Sequence, residues 1–257
     1  MIYNYHTHTY FCDHADGEPR EYIENAIAGG IKYMGFSEHC PLKYPDGSES
    51  SYRMQTKDAE KYFKLLNTLR EEYKDKIWIS IGFEMEYYPI YFDEMLKNAT
   101  KFGAEYLILG QHFLNSGERE GVKVTEKTAS EERLALYSDT VIEGMKSGSF
   151  TYVAHPDIIN YVNDDEAYER EMRRICMVSR EYNVPLEINF LGIRGGRIYP
   201  RDAFWKVAGE EKCPVVMGFD AHSAEAAYDG ASLIKAKAFV EKYQLNLIEH
   251  PQLVSIV

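Results

Sequence analysis

Residues 1–14 read MIYNYHTHTYFCDH: an apolar and aromatic run at 2–5 that stops on two histidines one residue apart. Side chains on a strand alternate with period two, so His6 and His8 share a face, and His14 follows in the turn. Outward from this stretch the same construction recurs. A short run rich in β-branched and aromatic residues comes first, then a loop, then a longer segment of helical periodicity. The runs fall at 2–5, 33–36, 77–83, 106–109, 152–154, 186–188 and 215–219. Helices are predicted at 19–28, 57–73, 91–102, 130–146, 165–182 and 224–243, with Pro19 suited to a first turn and Gly29-Gly30 to a stop. The segment 115–127 has loop composition. Seven consecutive βα units with short connections predict an α/β chain forming one domain over 1–257. They favour a TIM-like (β/α)7 barrel over an open doubly wound sheet.

Of the eight histidines, seven fall at or just past the C-terminal ends of these runs: His6, His8, His14, His39, His112, His155 and His222. Glu84 ends the third run and Asp220 the seventh. In a parallel barrel those ends converge on one face, where active sites are built. A lone buried histidine is usually a satisfied core residue, but core histidines have no reason to choose the same end of each strand. Metal ligands do, because an ion accepts donors only within about 2.0 to 2.2 Å. His250, in the tail beside Pro251, falls outside the pattern and reads as a surface residue.

Nine donors exceed what one tetrahedral ion uses, so the cluster predicts two to three divalent transition-metal ions, and imidazole with carboxylate suits Zn, Fe or Mn. Such a centre stays positive despite its two carboxylates, attracts a phosphate and makes hydroxide from a bridging water near neutral pH. The expected chemistry is hydrolysis of a small phosphate monoester by that hydroxide. Glu84 and Asp220 are the candidate catalytic carboxylates, and Asp220 orients the attacking oxygen.

The formal charge of −12 argues against a stable nucleic-acid partner. No leader and no apolar run of membrane length occurs, which predicts a cytoplasmic protein without a membrane contact. Cys12, Cys40, Cys176 and Cys213 are scattered and read as reduced thiols, with Cys12 and Cys40 close enough to histidines to neighbour the site. The sequence carries no signal for oligomeric state.

Six motifs in order, HTHTYFCDH, SEH at 37–39, GFEMEY at 82–87, QH at 111–112, AHPD at 154–157 and DAH at 220–222, resemble those of the PHP (polymerase and histidinol phosphatase) superfamily. The resemblance implies a distorted (β/α)7 barrel with a trinuclear centre. His6, His8, Glu84 and Asp220 would hold one ion; Glu84 would bridge to a second held by His112 and His155; His14, His39 and His222 would hold the third. Within the superfamily, LEINFLGIRGGRIYP at 186–200 is most similar to the histidinol-phosphate phosphatases. This implies L-histidinol phosphate as substrate, with nucleotides or oligonucleotide ends as the alternative. A metal-binding regulatory domain without activity is the third reading, and the complete ligand set speaks against it.

Arg194 and Arg197, beyond the sixth run on the active face, are the first candidates to grip the phosphate in bidentate fashion. Arg53 and Arg119, in the loops after runs two and four, come next. Asp46 and Glu118 are candidates to face a substrate ammonium group.

Overall fold

The computed structural model describes residues 1–256 apart from Ser116, Glu118 and Glu120. Six of the runs become the parallel strands β1 (Tyr3–Asn4), β2 (Tyr33–His39), β3 (Trp78–Met85), β4 (Leu107–Leu109), β5 (Leu186–Asn189) and β6 (Pro214–Gly218). The run at 152–154 forms no strand of its own, yet Val153 bridges to Leu109 on one side and Leu186 on the other. It therefore fills the fifth place between β4 and β5. β1 to β4 pair in chain order and β5 pairs with β6, all in parallel.

The ring closes through a parallel bridge from Thr7 to Ala221, where the His8 amide donates to the Ala221 carbonyl at 2.9 Å. A further strand, β7 (Asn246–Leu247), occupies the first residues of β6, Pro214 and Val215. The first run thus meets the last only beyond the C-terminal end of β6. The barrel is seven-membered and distorted at this seam.

The helices are α1 (Pro19–Ala28), α2 (Ala59–Tyr73), α3 (Phe92–Phe102), α4 (Glu131–Lys146), α5 (Asp165–Tyr182), α6 (Phe190–Gly195), α7 (Asp202–Glu211) and α8 (Gly230–Tyr243). Local chemistry sets their ends. Pro19 opens α1 behind a capping box of Glu18 and Glu21. Asp164 caps α5 by accepting from the Glu166 and Ala167 amides, and Asn183 ends it in the left-handed region at φ 54. Two expectations change. The stretch after the sixth run holds two helices, α6 and α7, that the periodicity reading did not foresee. The helix expected at 224–243 is a 3-10 turn, Ala224–Ala227, followed by α8, because the Asp229 side chain accepts from the Ser232 amide at 2.9 Å and restarts the helix there.

Most of the apolar core lies between the strands and the helices. A second cluster, Tyr3, Tyr5, Tyr106, Ile108, Tyr152, Ala154 and Val216, fills the barrel interior. Gly35 and Gly82 make room for it, since a Cβ at either would come within 2.2 Å of Tyr106. The four cysteines are buried and unpaired. Among the described residues no helix is long and apolar enough to cross a membrane.

Candidate metal centre

Strand register assembles the centre. The β2 and β3 pairing sets His39 directly beside Glu84. The Thr7–Ala221 bridge sets the residues flanking Thr7, His6 and His8, against those flanking Ala221, Asp220 and His222. His112 follows β4, and His155 follows the run bridged through Val153.

Glu84 is the hub. Its Oε1 lies 3.7 Å from His6 Nε2, 3.6 Å from His112 Nε2 and 2.9 Å from His155 Nε2. Its Oε2 lies 3.4 Å from His8 Nε2 and 3.0 Å from His39 Nδ1. Asp220 Oδ1 stands 3.6 Å from His6 Nε2, 3.5 Å from His8 Nε2 and 3.2 Å from His222 Nδ1. His14, His39 and His222 form a further group with donor atoms within 4.8 Å of one another. Two donors on one tetrahedral ion, each at about 2.1 Å, are roughly 3.4 Å apart. The separations around Glu84 and Asp220 are of that size, and all nine sequence-derived donors meet in one place.

The donor set fits divalent cations on a second count. His6 Nε2, His8 Nε2, both ring nitrogens of His39, Glu84 Oε2, His155 Nδ1 and Asp220 Oδ1 are buried without a well-aligned hydrogen bond, although His39 Nδ1 and Glu84 Oε2 lie 3.0 Å apart. Buried polar atoms are normally paired, and seven such atoms in one cluster are costly unless a cation takes up those that face the centre. Burial favours neutral forms of both carboxyls. Even so, His112, His39 and His6 hold Glu84 well below the ordinary carboxylate range, and His6, His222 and His8 do the same for Asp220. Burial, then the neighbouring His222, pushes His8 down to about 4; burial, then His8, holds His39 well below its usual value. Against their burial, Glu187, Asp220 and Glu84 hold His6 well above its usual value, and Glu84 raises His155. Ionised carboxylates and neutral imidazoles are the ligating forms, so a cation taken up here would displace protons from His6 and His155.

Three buried carboxylates that the sequence reading passed over stand behind the rings. Glu187 lies 2.8 Å from His6 Nδ1, Glu38 3.3 Å from His8 Nδ1, and Glu86 3.3 Å from His112 Nδ1. Each engages the outer ring nitrogen and turns Nε2 inward, which fixes both tautomer and aim. Glu38 in turn accepts from the Thr9 amide and hydroxyl at 2.9 and 2.6 Å. Glu86 is ion-paired with Arg53.

Two glycines permit this crowding: a Cβ on Gly110 would lie 1.8 Å from Glu84 Oε1, and one on Gly218 would lie 1.7 Å from Glu187 Oε1. Two donors are held in the left-handed region, His155 at φ 31 and Asp220 at φ 46. Side chains other than glycine rarely adopt it without a surrounding structure that imposes it.

A cleft opens above the cluster, lined by Tyr52, Lys123, Asn160, Arg197 and Tyr199 beside the donors, with His6 beneath its floor. The four arginines separate here. Arg197 lines the cleft, and its Nη1 donates to the Tyr199 hydroxyl at 2.9 Å. Arg194 does not line it and instead donates to the carbonyls of Phe219 and Asp220 at 2.6 and 2.5 Å. Arg53 is buried against Glu86 and Tyr88. Arg119 pairs with Asp46 and donates to the Ser48 hydroxyl at 2.9 Å. On this geometry the guanidinium groups of Arg194 and Arg53 are engaged inside the protein, that of Arg119 meets Asp46 at the surface, and Arg197 is the one of the four that lines the cleft. Lys123 is the cleft cation that sequence reading missed. Asp46 is engaged by Arg119, and Glu118 lies outside the described residues. His250 is exposed yet fastened at the opposite end of the barrel, its Nε2 2.7 Å from the Tyr5 hydroxyl.

A TIM-like barrel with imidazoles and carboxylates gathered at the C-terminal ends of its strands defines a metal-dependent hydrolase. The chain belongs to the PHP domain family, whose model matches residues 4–190. It is 25% identical over 239 residues to the probable histidinol-phosphatase of Deinococcus radiodurans, covering 90% of each chain. It is 26% identical over 250 residues to the histidinol-phosphatase of Bacillus subtilis, covering 85% of this chain and 92% of that one. The crystal structure of histidinol phosphate phosphatase from Lactococcus lactis subsp. lactis, complexed with Zn, L-histidinol and phosphate, has the same fold. Its TM-score is 0.73 at 21% identity, over 99% of this chain and 97% of that one.

Proposed function

We propose that this chain hydrolyses L-histidinol phosphate to L-histidinol and phosphate with two to three divalent transition-metal ions, Zn, Fe or Mn. The observation that carries the reading is the ring of buried, unpartnered donor atoms around Glu84, in a chain whose relatives over most of its length bear the histidinol-phosphatase name. His6, His8, Glu84 and Asp220 would hold one ion, Glu84 with His112 and His155 a second, and His14, His39 and His222 a third. When bound, the ions polarise phosphoryl oxygens and make hydroxide available near neutral pH.

The chain's own residues do the rest. Asp220 fastens Oδ2 to Asn189 Nδ2 at 3.0 Å and keeps Oδ1 for the reacting centre, where it orients the attacking oxygen. Arg197 and Lys123 bring positive charge to the cleft and receive the phosphate. A water oxygen bonds to phosphorus, the ester P–O bond breaks, and the proton released by the water ends on the leaving alkoxide.

Initial rates on histidinol phosphate, nucleoside monophosphates and a generic aryl phosphate test the substrate. Histidinol phosphate is expected to give the highest kcat/KM, and a preference for nucleotides overturns the assignment. Elemental analysis is expected to find two to three transition-metal ions per chain; one or fewer at full activity removes the trinuclear reading.

A further inference from the structure

We infer that Arg194 is a positioning residue for Asp220, and that α6 serves to hold this aspartate in the left-handed conformation that turns its carboxylate toward the imidazoles. The inference rests on the proposed role of Asp220 as a metal ligand.

Asp220 stands at φ 46, a left-handed conformation more open to aspartate than to most residues but still disfavoured against the extended and helical regions. The two peptide groups flanking its Cα end in the carbonyls of Phe219 and Asp220, and Arg194 grips both, Nη1 on the first at 2.6 Å and Nη2 on the second at 2.5 Å. A rigid fork on two consecutive carbonyls fixes both peptide planes, and so fixes the residue between them. Asn189 completes the hold from the side chain. Its Nδ2 donates to Asp220 Oδ2 at 3.0 Å and to Glu187 Oε2 at 2.8 Å, while its Oδ1 accepts from the Gly192 amide at 3.1 Å and caps α6. One side chain thus starts the helix that carries Arg194 and fixes the carboxylate that Arg194 serves. The Asp229 carboxylate, 3.7 Å from Arg194 Nη1, steadies the guanidinium from the far side.

The test compares Arg194→Ala, Arg194→Lys, Arg197→Ala and Asp220→Asn with wild type. It measures zinc affinity of the apo proteins by competition with a chromophoric chelator, kcat and KM on histidinol phosphate and an aryl phosphate, and inhibition by inorganic phosphate. Arg194→Ala is expected to lose about 10- to 100-fold in zinc affinity and in kcat, the range for partners that orient a ligand. KM and phosphate inhibition should stay as in wild type, and added guanidinium should restore part of kcat. Arg194→Lys is expected to fail as Ala does, because a point charge cannot span two carbonyls; it also keeps the test open if the alanine variant does not fold. Arg197→Ala should weaken phosphate inhibition with zinc affinity intact. Weaker phosphate inhibition in Arg194→Ala with unchanged zinc affinity makes Arg194 a substrate group and overturns the inference, as does a variant equal to wild type in every readout. Zinc affinity does not depend on which ester is the substrate, so a failure on histidinol phosphate alone leaves the inference standing. Unaltered zinc affinity in Asp220→Asn removes the ligand role on which it rests.

Discussion

The two ends of the barrel are made from the same strands and are opposites in polar chemistry. At the N-terminal end the first run contributes Tyr3 and Tyr5. The Tyr3 hydroxyl accepts from the Met217 amide at 3.2 Å, Tyr5 meets His250 at 2.7 Å, and the Tyr106 hydroxyl donates to the Tyr5 carbonyl at 2.9 Å. The Tyr152 hydroxyl is the exception there. At the C-terminal end the next residues of the same run, His6 and His8, leave Nε2 unpartnered beside Glu84 and Asp220, although their outer nitrogens are engaged. One end has settled its hydrogen bonds within the protein, and the other holds them open for cations. Tyr3, Tyr5 and Tyr106 at one end and His6, His8, Glu84 and Asp220 at the other are all buried, so burial alone does not separate a structural end from a functional one. Polar satisfaction does.

The sharpest way to break the contrast is Glu84→Gln, which removes the charge shared by both halves of the centre. We expect more than about 100-fold loss in kcat/KM, beyond the range for outer partners, and a larger loss than for His39→Ala. Near-normal turnover and metal content in the Gln variant would reduce Glu84 to a structural residue. Next is removal of metal from wild type with a chelator. Ions present at about 100 times their Kd add roughly 2.7 kcal/mol per site, so the melting temperature should fall, and superimposable melting curves with and without chelator would contradict the orphan-atom argument.

Glu187→Gln probes the outer layer. We expect about 10- to 100-fold lower activity or metal affinity, because the amide no longer holds His6 and the His155 amide with a full charge; unchanged values would make Glu187 a passive core group. The smallest effect belongs to the other end. His250→Ala should cost about 0.5 to 1.5 kcal/mol of stability, the net worth of one hydrogen bond, with kcat and metal content as in wild type. A fall in metal content would mean that the two ends are coupled.

The donors were legible because period-two strands place them. An H-x-H at the end of the first run, and a carboxylate or histidine at the end of five of the other six, define one face without any coordinates. The orienting carboxylates were there to be read as well. Glu187 is a charge inside LEIN, a strand otherwise apolar or amide-bearing, and Glu86 is two residues from Glu84 along GFEMEY. α7 was also readable, since Phe204, Trp205, Val207 and Ala208 are its buried face. The roles of the arginines were not. α6 spans six residues, FLGIRG, too few for periodicity to register, and its cap on Asn189 depends on a contact made elsewhere in the fold. Whether Arg194 meets a phosphate or two carbonyls turns on that short helix, which propensity does not foresee.

The seam of the ring has a consequence for the order in which the molecule is made. Thr7 and Ala221 meet across almost the whole chain, and bringing such distant residues together carries a closure entropy that local pairing does not. β1 to β4 can form from neighbours in sequence, but His6 and His8 reach Asp220 and His222 only once the last run has returned to the first. A chain halted before that step holds its imidazoles without the aspartate they surround. Acquisition of the full complement of metal is therefore a clock for completion of the barrel, and a stopped-flow record of zinc uptake during refolding should follow the slowest structural phase.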